Sequence, residues 1–335
     1  MKKKNFIFAT AILIMTIVFL AACNSSEGST SGDSSSDSSS NFPNKPITVI
    51  VPWSAGGGTD TGTRVLQPYL EEELGVTVNV VNKTGGGGWV GWNELANAKP
   101  DGYTIGVANS PHIITGYLNP SLNRDKDLDN FIGLGMHVID PDTIAIRPDD
   151  DRFSTLEELI DYAKENEVTV SATGEGKDEH LVMLNFNKKY GTNFKPVHFE
   201  GASESKSNVL GGHVDVLVAN LGEVLSLHDN KEVKVLGVAA QERSDFMPNV
   251  PTLEEEGFEV YQESSRGFIA PADTNEEAVK VLKEALDKTI NNEDHIKEMN
   301  ELGFGVNHES GEDYMNILKK DEQAILELTD LLGWE

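Results

Sequence analysis

Cysteine is almost absent from this chain of 335 residues: Cys23 is the only one. No intramolecular disulfide can form, so packing alone must hold the fold. Basic residues are also scarce, with 27 Lys and Arg against 55 Asp and Glu and a formal net charge of −28. A nucleic-acid partner is excluded on that balance. Any anionic ligand must be attracted locally, because the field of the whole chain opposes it and is screened beyond ~8 Å at physiological salt. No G-x-S-x-G elbow occurs, and none of the eight histidines stands in an H-E-x-x-H or comparable spacing, so hydrolytic and metal-dependent chemistry lack their usual signatures. No metal and no cofactor are expected, and the protein is not expected to be an enzyme.

The N-terminus has what the rest lacks. Lys2-Lys3-Lys4 precedes an apolar run from Phe6 to Leu20, the pattern of a secretory signal and short for a membrane span of about 20 residues. Leu20-Ala21-Ala22-Cys23 resembles the lipobox of bacterial lipoproteins. That resemblance implies cleavage after Ala22 and a lipid on Cys23, whose two acyl chains suffice for stable anchoring. Residues 1–22 are thus read as signal peptide. Cleavage would remove Lys2, Lys3 and Lys4 and no acid, taking the net charge from −28 to −31. Residues 24–40 contain ten serines and cannot bury a core. Residues 23–41 therefore read as a lipidated cysteine and a disordered tether. The expected place is the extracytoplasmic face of the cell membrane.

Two strand–glycine–helix passages open the globular region. Ile47–Val51 runs into Pro52-Trp53-Ser54-Ala55-Gly56-Gly57-Gly58-Thr59-Asp60, and Val76–Val81 into Asn82-Lys83-Thr84-Gly85-Gly86-Gly87-Gly88-Trp89. A glycine turn feeding a helix gathers unpaired N–H groups under a positive dipole end, a site for an anion. Two such turns fit either two anionic groups or one carboxylate shared between them. Gly86-Gly87-Gly88-Trp89-Val90-Gly91 matches G-x-G-x-x-G, but the acid expected about 20 residues on is missing: Ala108-Asn109-Ser110-Pro111 stands there. Neither cluster continues into Gly-Lys-Ser/Thr, so no P-loop is present. Asp60 and Arg64 are spaced to pair on one helix face, or Asp60 braces the glycine loop. Trp89 and Trp92 share a helix face, which leaves Trp53 as the aromatic wall of a cleft.

The pattern predicts helices at 59–74 and 89–98 and a third strand at 103–107, hence a parallel sheet with ligands at its carboxyl ends. Apolar stretches 131–138 and 143–146 flank Asp140-Pro141-Asp142, read as a crossing between lobes. Ser154-Thr155-Leu156-Glu157 reads as a capping box opening a helix. Strands come next at 168–172, 195–199, 214–219 and 233–239, with a return strand at 267–270. Helices at 275–291, 293–302 and 312–332 close the chain.

In order along the chain stand Lys45-Pro46-Ile47, Val51-Pro52-Trp53, Gly56-Gly57-Gly58-Thr59-Asp60 with Arg64, and Asn82-Lys83-Thr84 with Gly85–Gly88. Then come Pro100-Asp101-Gly102-Tyr103-Thr104, Asn119-Pro120-Ser121-Leu122, Gly174-Glu175-Gly176 with His180-Leu181, Gly201, Leu210-Gly211-Gly212 and Val250-Pro251-Thr252 with Gly257. This ordered set resembles the solute-binding proteins of tripartite tricarboxylate transporters. The resemblance implies a two-lobed, periplasmic-binding-protein-like (type II) α/β fold with two hinge crossings and a cleft between the lobes. Lobe 1 would span 42–142 and 267–335, lobe 2 143–266. It further implies capture of a small carboxylate of the tri- or dicarboxylate class and delivery to a permease with large and small membrane subunits, by a monomer.

The ligand-binding residues it implies are the loop Trp53–Asp60, the loop Thr84–Gly88, and Thr173, Gly174, His180, Gly201 and Asn220. His180 is either a cleft residue or a packing partner. The chain departs from the family pattern at Lys177-Asp178-Glu179, Phe199-Glu200-Gly201, Lys206 and Asn220. Lys177 or Lys206 is therefore a candidate to pair a distal carboxylate, against the alternative of solvated lysines. A sensor that presents its closed form to a signalling kinase would share this sequence pattern.

Overall fold

Short runs of β-branched and apolar residues alternate with helices through the first third of the chain. The computed structural model describes residues 42–327 and 329–334; the export signal, Cys23 and the tether read from the sequence lie outside them. Strand β1 (Ile47–Val51) leads to α1 (Gly58–Leu74), β2 (Val78–Asn82) to α2 (Trp89–Ala96), and β3 (Thr104–Ser110) to α3 (His112–Leu118). β1 is buried along nearly its whole length, as expected of a strand covered on both faces. Helix α1 starts after Gly57 with no side-chain cap, so its first N–H groups are open to other partners. It ends where Gly75, at φ 67°, returns its N–H to Glu71.

Strand β4 (Phe131–Ile146) is 16 residues long and runs through Asp140-Pro141-Asp142. The sequence reading placed an inter-lobe crossing there; the strand continues through it unbroken. Proline is tolerated because its neighbours keep their partners. Asp142 N–H donates to the Gln262 carbonyl at 3.0 Å, and the Asp140 carbonyl accepts from Asn220 Nδ2 at 3.1 Å.

Beyond β4 come α4 (Leu156–Glu165), β5 (Val168–Ala172), α5 (Asp178–Tyr190), β6 (Phe194–His198), α6 (Ala202–Leu210), β7 (Val216–Asn220), α7 (Leu221–Asp229) and β8 (Lys234–Val238). The expected capping box at α4 is displaced by one residue. Thr155 caps it, accepting Glu158 N–H, while Glu158 takes the Ser154 N–H and hydroxyl. Thr155 and Glu158 have the same i, i+3 spacing as the pair read from the sequence. The chain returns along β9 (Glu263–Pro271) and finishes with α8 (Glu276–Ile290), α9 (Glu293–Glu301), β10 (Gly305–Val306), α10 (Gly311–Leu326) and α11 (Thr329–Leu332). The helix read as 312–332 is thus two, with α10 capped by Ser310. No helix among the described residues is long and apolar enough to cross a membrane.

The strand order is β2-β1-β3-β9-β4-β7-β5-β6, with β8 and β10 also on β4. β2-β1-β3 and β7-β5-β6 are parallel, but β9 is antiparallel to β3 and β4, and β4 is antiparallel to β7 and β8. The sheet is mixed because two strands, β4 and β9, carry the chain out of one half and back. Each half has its own helix-covered core. In the first, Leu66, Leu70, Leu282 and Leu286 pack on one face of the sheet, and Trp89, Trp92, Ile113 and Leu318 on the other. In the second, Leu159, Phe186 and Leu253 form one layer, and Val209, Leu217 and Val224 the other. The result is a two-lobed α/β fold whose floor is the β4–β9 pair.

Candidate functional site

The first glycine loop is held from beneath by Asp60. Its Oδ2 accepts the Gly56 N–H at 2.9 Å, and both its oxygens accept from Arg64 Nε at 2.9 and 3.0 Å. Asn82 Nδ2 donates to Asp60 Oδ1 at 2.9 Å and to the Trp53 carbonyl at 2.8 Å. Burial opposes ionisation of Asp60, but the bonds from Arg64, Gly56 and Asn82 outweigh it and hold the carboxyl below its usual range. Asp60 therefore braces the loop. Gly56, at φ +80°, makes the bend that lets Gly57 and Gly58 present their backbone to the space above α1.

That space is a cavity of about 160 Å3 between the lobes. A cavity of about 150 Å3 holds a benzene ring, so the site suits a small metabolite and is far too small for a dinucleotide. Trp53, Gly57, Gly58 and Thr59 line it from the first lobe, Thr173, Gly201 and Asn220 from the second. Trp53 is fixed as a wall: its Nε1–H donates to Asn109 Oδ1 at 3.0 Å, and its ring meets the edge of His112 with centroids 4.9 Å apart. Asn109 in turn donates to Thr59 Oγ1 at 2.9 Å.

Arg266, on β9 in the cavity floor, is 4% exposed. Its Nη2 donates to Asn220 Oδ1 at 2.8 Å and lies 3.0 Å from Asp140 Oδ2; that ion pair lacks hydrogen-bond direction, since Asp140 Oδ2 has no hydrogen-bond donor. The other two donor atoms, Nε and Nη1, are buried without a partner. Nη1 is 2.8 Å from where a side chain on Gly58 would start, which is why glycine stands there. The Gly58 N–H, at the first turn of α1, donates to Glu223 Oε1 at 3.1 Å. The N-terminus of α1 and Arg266 together form a seat for an anion, and in this conformation a carboxylate of the second lobe takes its backbone donor.

Acids surround that seat. Asp140 is pushed up to about 6 by burial, against the opposing charge of Arg266. Asp142 is pushed well up by burial and by Asp178. Glu179 is raised well above its ordinary value by burial and by neighbouring Asp178, and Asp178 itself is raised by burial. His112 is pushed well below its ordinary range by burial and by Lys177 and Arg266, so it is a neutral imidazole. His112, Asp178 and Glu179 bring one ligand atom each within 4.8 Å of the others, a donor set of metal-binding type. Glu179 is already held by Thr173 Oγ1 at 3.0 and 2.9 Å, and Asp178 Oδ2 by Asn220 Nδ2 at 3.2 Å.

The second glycine loop lines a neighbouring cavity of about 410 Å3, which shares Trp53 and Thr173 with the first. Gly85 to Gly88 all have positive φ. The Gly86 carbonyl accepts from Arg124 Nη2 at 2.8 Å, and the Gly87 carbonyl from Lys177 Nζ at 3.3 Å. The two loops line adjoining cavities that have Trp53, Thr173, Glu200 and Glu204 in common. Gly174 belongs to this second cavity, and Thr84 lines neither. Ala55 and Gly56 are exposed and shape the first loop without lining the cavity.

His180 lines neither cavity. Its Nδ1 accepts the Gly176 N–H at 3.0 Å and its ring packs edge-on against His198, so it closes the glycine turn; burial lowers it to about 4. The cleft histidine is His112. Of the candidate lysines Lys177 is buried and Lys206 half-buried. Lys177 is buried, donates to the Gly87 and His112 carbonyls, and is pulled down to about 7 by burial. Lys206 Nζ donates to the Glu223 carbonyl at 3.2 Å and lines a side pocket with Gly56 and Phe304. The sequence reading missed Asn109, His112, Glu223 and Arg266. The first two lie at the end of β3 and just beyond it, where parallel strands present ligands; Arg266 stands one residue before the return strand as read.

A family model described as "Tripartite tricarboxylate transporter family receptor" matches residues 63–330. The UPF0065 protein in the gbd 5′ region of Cupriavidus necator is 28% identical over 334 residues, 98% of each chain. The solved structure of the periplasmic binding protein BugD superposes with a TM-score of 0.80 at 27% identity, over 88% of this chain and 99% of that one. MatC from Rhodopseudomonas palustris, solved with bound malate, superposes at 0.79 with 23% identity, over 87% of this chain and 100% of that one. These neighbours are periplasmic-binding folds of the two-lobed type II kind, as the sequence resemblance implied.

Proposed function

Because the chain belongs to the tripartite tricarboxylate transporter receptor family, we propose that it is an extracytoplasmic solute receptor that captures a small organic carboxylate and hands it to a permease of one large and one small membrane subunit. The observation that carries the reading is Arg266, buried at the cleft floor with two unpaired donor atoms beside the first turn of α1, whose Gly58 N–H is held by Glu223 in this conformation. A ligand carboxylate docks there, taking the Gly58 N–H from Glu223 and filling Arg266 Nη1 and Nε. Each charge-assisted bond contributes roughly 1.5–3 kcal/mol. Malate bound to MatC supports the ligand chemistry, and di- and tricarboxylates are the class the family implies.

The moving bodies are 42–142 with 267–335, and 143–266. Residues Glu200–Glu204 and Glu223 face Trp53, Ser54 and Gly57–Thr59 across the cavity, so the ligand bridges both lobes. Closure follows from its higher affinity for the closed form, and the permease reads that form. Cys23 carries the lipid that holds the monomeric receptor at the membrane surface.

Thermal-shift and calorimetric titration of the purified full chain against small carboxylates, amino acids and sugars tests the reading. A carboxylate-bearing ligand at 100 times its dissociation constant stabilises by about 2.7 kcal/mol. Binding of sugars or simple cations, with no response to any carboxylate-bearing compound, overturns it.

A further inference from the structure

Three titratable side chains beside the Arg266 seat meet across the gap between the lobes. His112 opens α3 in the first lobe, and Asp178 and Glu179 open α5 in the second. Their spacing in the chain forms no metal motif; the fold brings them together. All three are buried, and one ligand atom from each lies within 4.8 Å of the other two. His112 Nε2 is 3.4 Å from Asp178 Oδ1. Two ligand atoms on a tetrahedral zinc, each about 2.0–2.1 Å from the metal, stand about 3.3 Å apart. This pair already has the separation that a shared cation requires.

Unused atoms set the cluster apart from an ordinary acidic helix start. Asp178 is 1% exposed, and its Oδ1, which faces His112, accepts no hydrogen bond. His112 Nδ1 is buried and unpaired, so no hydrogen bond there forces the ring proton onto Nε2, and that nitrogen can offer its lone pair. Thr173 Oγ1, 3.4 Å from Nε2, gives its proton to Glu179 instead. The other oxygens are oriented and keep a lone pair each: Asn220 Nδ2 holds Asp178 Oδ2 at 3.2 Å, and Thr173 Oγ1 holds Glu179 at 3.0 and 2.9 Å. Hydrogen bonds of this kind fix the ligands of metal sites. The acids need no standing charge. Without a cation their approach is relieved by a proton on Glu179, which burial and Asp178 raise well above its ordinary range; a metal displaces that proton as it binds. The positive groups that act on His112 are Lys177 and Arg266. Both are engaged on other partners, Lys177 on the Gly87 and His112 carbonyls and Arg266 on Asp140 at 3.0 Å.

We propose that His112 Nε2, Asp178 Oδ1 and a Glu179 carboxylate oxygen bind a divalent cation of the zinc class, which ties the first lobe to the second. One imidazole with two carboxylates suits zinc better than calcium or magnesium, which take oxygen ligands. His112 and Glu179 also line the cavity of about 160 Å3, so the ion enters from there and its remaining position is open to a water or another oxygen ligand. The inference goes beyond the receptor reading and does not depend on which organic ligand the cleft captures.

The test is calorimetric titration of the chelator-treated full chain with zinc, calcium and magnesium chlorides. One equivalent of zinc is expected to bind, roughly a hundredfold or more tighter than calcium or magnesium, and to raise the unfolding midpoint. His112→Gln, Asp178→Asn and Glu179→Gln are each expected to weaken zinc by roughly tenfold or more, with metal-free midpoints recorded to show that the variants fold. His308→Gln, at a histidine paired with Asp287, is expected to bind zinc as the native chain does. X-ray absorption at the zinc edge of the native one-equivalent complex needs no variant and is expected to show a single imidazole among oxygen neighbours. No zinc binding overturns the site and leaves a proton in the gap. Zinc binding unchanged in any of the three variants that folds, a shell with two or more imidazoles, or equal affinity for calcium also overturns it. None of these outcomes bears on the receptor reading, which the carboxylate titrations decide.

Discussion

Replacing Arg266 by methionine isolates the charge at the cleft floor, because the side chain keeps its length and loses its donors. The substitution removes two contributions. The bond from Nη2 to Asn220 Oδ1 contributes about 1 kcal/mol, independent of pH. The second loss depends on pH through Asp140, which faces Arg266, Glu223, Asp178 and the Gly222 N–H. In the native protein burial raises its carboxyl from 3.8 to about 6 even with the arginine beside it. Folded Asp140 thus holds its proton more tightly than unfolded Asp140, so its contribution to stability falls as pH rises from about 4 and levels off near 6, where both states are ionised. Without Arg266 the folded carboxyl moves up further and the levelling comes later: each pH unit from 6 up to the new pKa costs about 1.4 kcal/mol more. The deficit of Arg266→Met is then about 1 kcal/mol at pH 5, rising to at most about 2.5 at pH 7 and about 4 at pH 8. The upper end lies in the range for removing one partner of a buried ion pair, roughly 3–5 kcal/mol. Loss of the same arginine also raises Asp178, which steepens the trend. Urea unfolding at pH 5, 6, 7 and 8, followed by tryptophan fluorescence and extrapolated linearly, measures it. A deficit that is constant, or smaller at pH 8 than at pH 5, refutes the assignment of Arg266 as counter-ion to Asp140.

Two further perturbations test the loops. Gly88→Ala places a methyl 2.6 Å from the Trp92 ring at φ +93° and is expected to cost about 3 kcal/mol or more; Gly56→Ala, at φ +80° with nothing within 4 Å, costs only about 1–2 kcal/mol, and equal losses in urea melts would contradict this. For Lys177, burial lowers the amine from 10.5 to about 7, so the folded state binds fewer protons and the penalty is full below pH 7 and gone above 10.5. Lys177→Met is therefore expected to stabilise the fold by about 1–2 kcal/mol near pH 7 after the two lost carbonyl bonds are counted, a gain that falls by about 1.4 kcal/mol per pH unit above 7 and is gone by about pH 8–8.5; a gain that grows with pH contradicts the buried placement.

Local pattern carried the sequence reading where neighbours in the chain decide the structure. Ile47–Val51, Val168–Ala172 and the amphipathic stretch behind Asn275 are strands and helix as read, because β-branched runs and capped helices are settled within a few residues. The first glycine loop was legible for the same reason, since its shape is set by Gly56 and by Asp60 four residues later. That Asp140-Pro141-Asp142 lies inside one unbroken strand was not legible, because proline normally interrupts a strand and the groups that keep the ladder intact, Gln262 and Asn220, are distant in sequence. Arg266, Glu223 and His112 were illegible as a set. They come from β9, α7 and α3 and become neighbours only when the lobes are assembled. The lysines went the other way: nothing local distinguishes Lys177 from a solvated side chain, and its burial depends on the carbonyls of Gly87 and His112.

Strand β4 is hydrogen-bonded to β9 through residues 131–141 and to β7 and β8 through 142–146. No unpaired stretch along it offers a door hinge. The lobe rotation proposed above would be taken up as torsion distributed along paired strands, a spring rather than a pivot. Arg266, Asp140 and Asn220 are bonded to one another across the coils of that spring. A ligand docked on Arg266 as proposed would change the stiffness of the element that twists, making binding site and elastic element one piece of the protein.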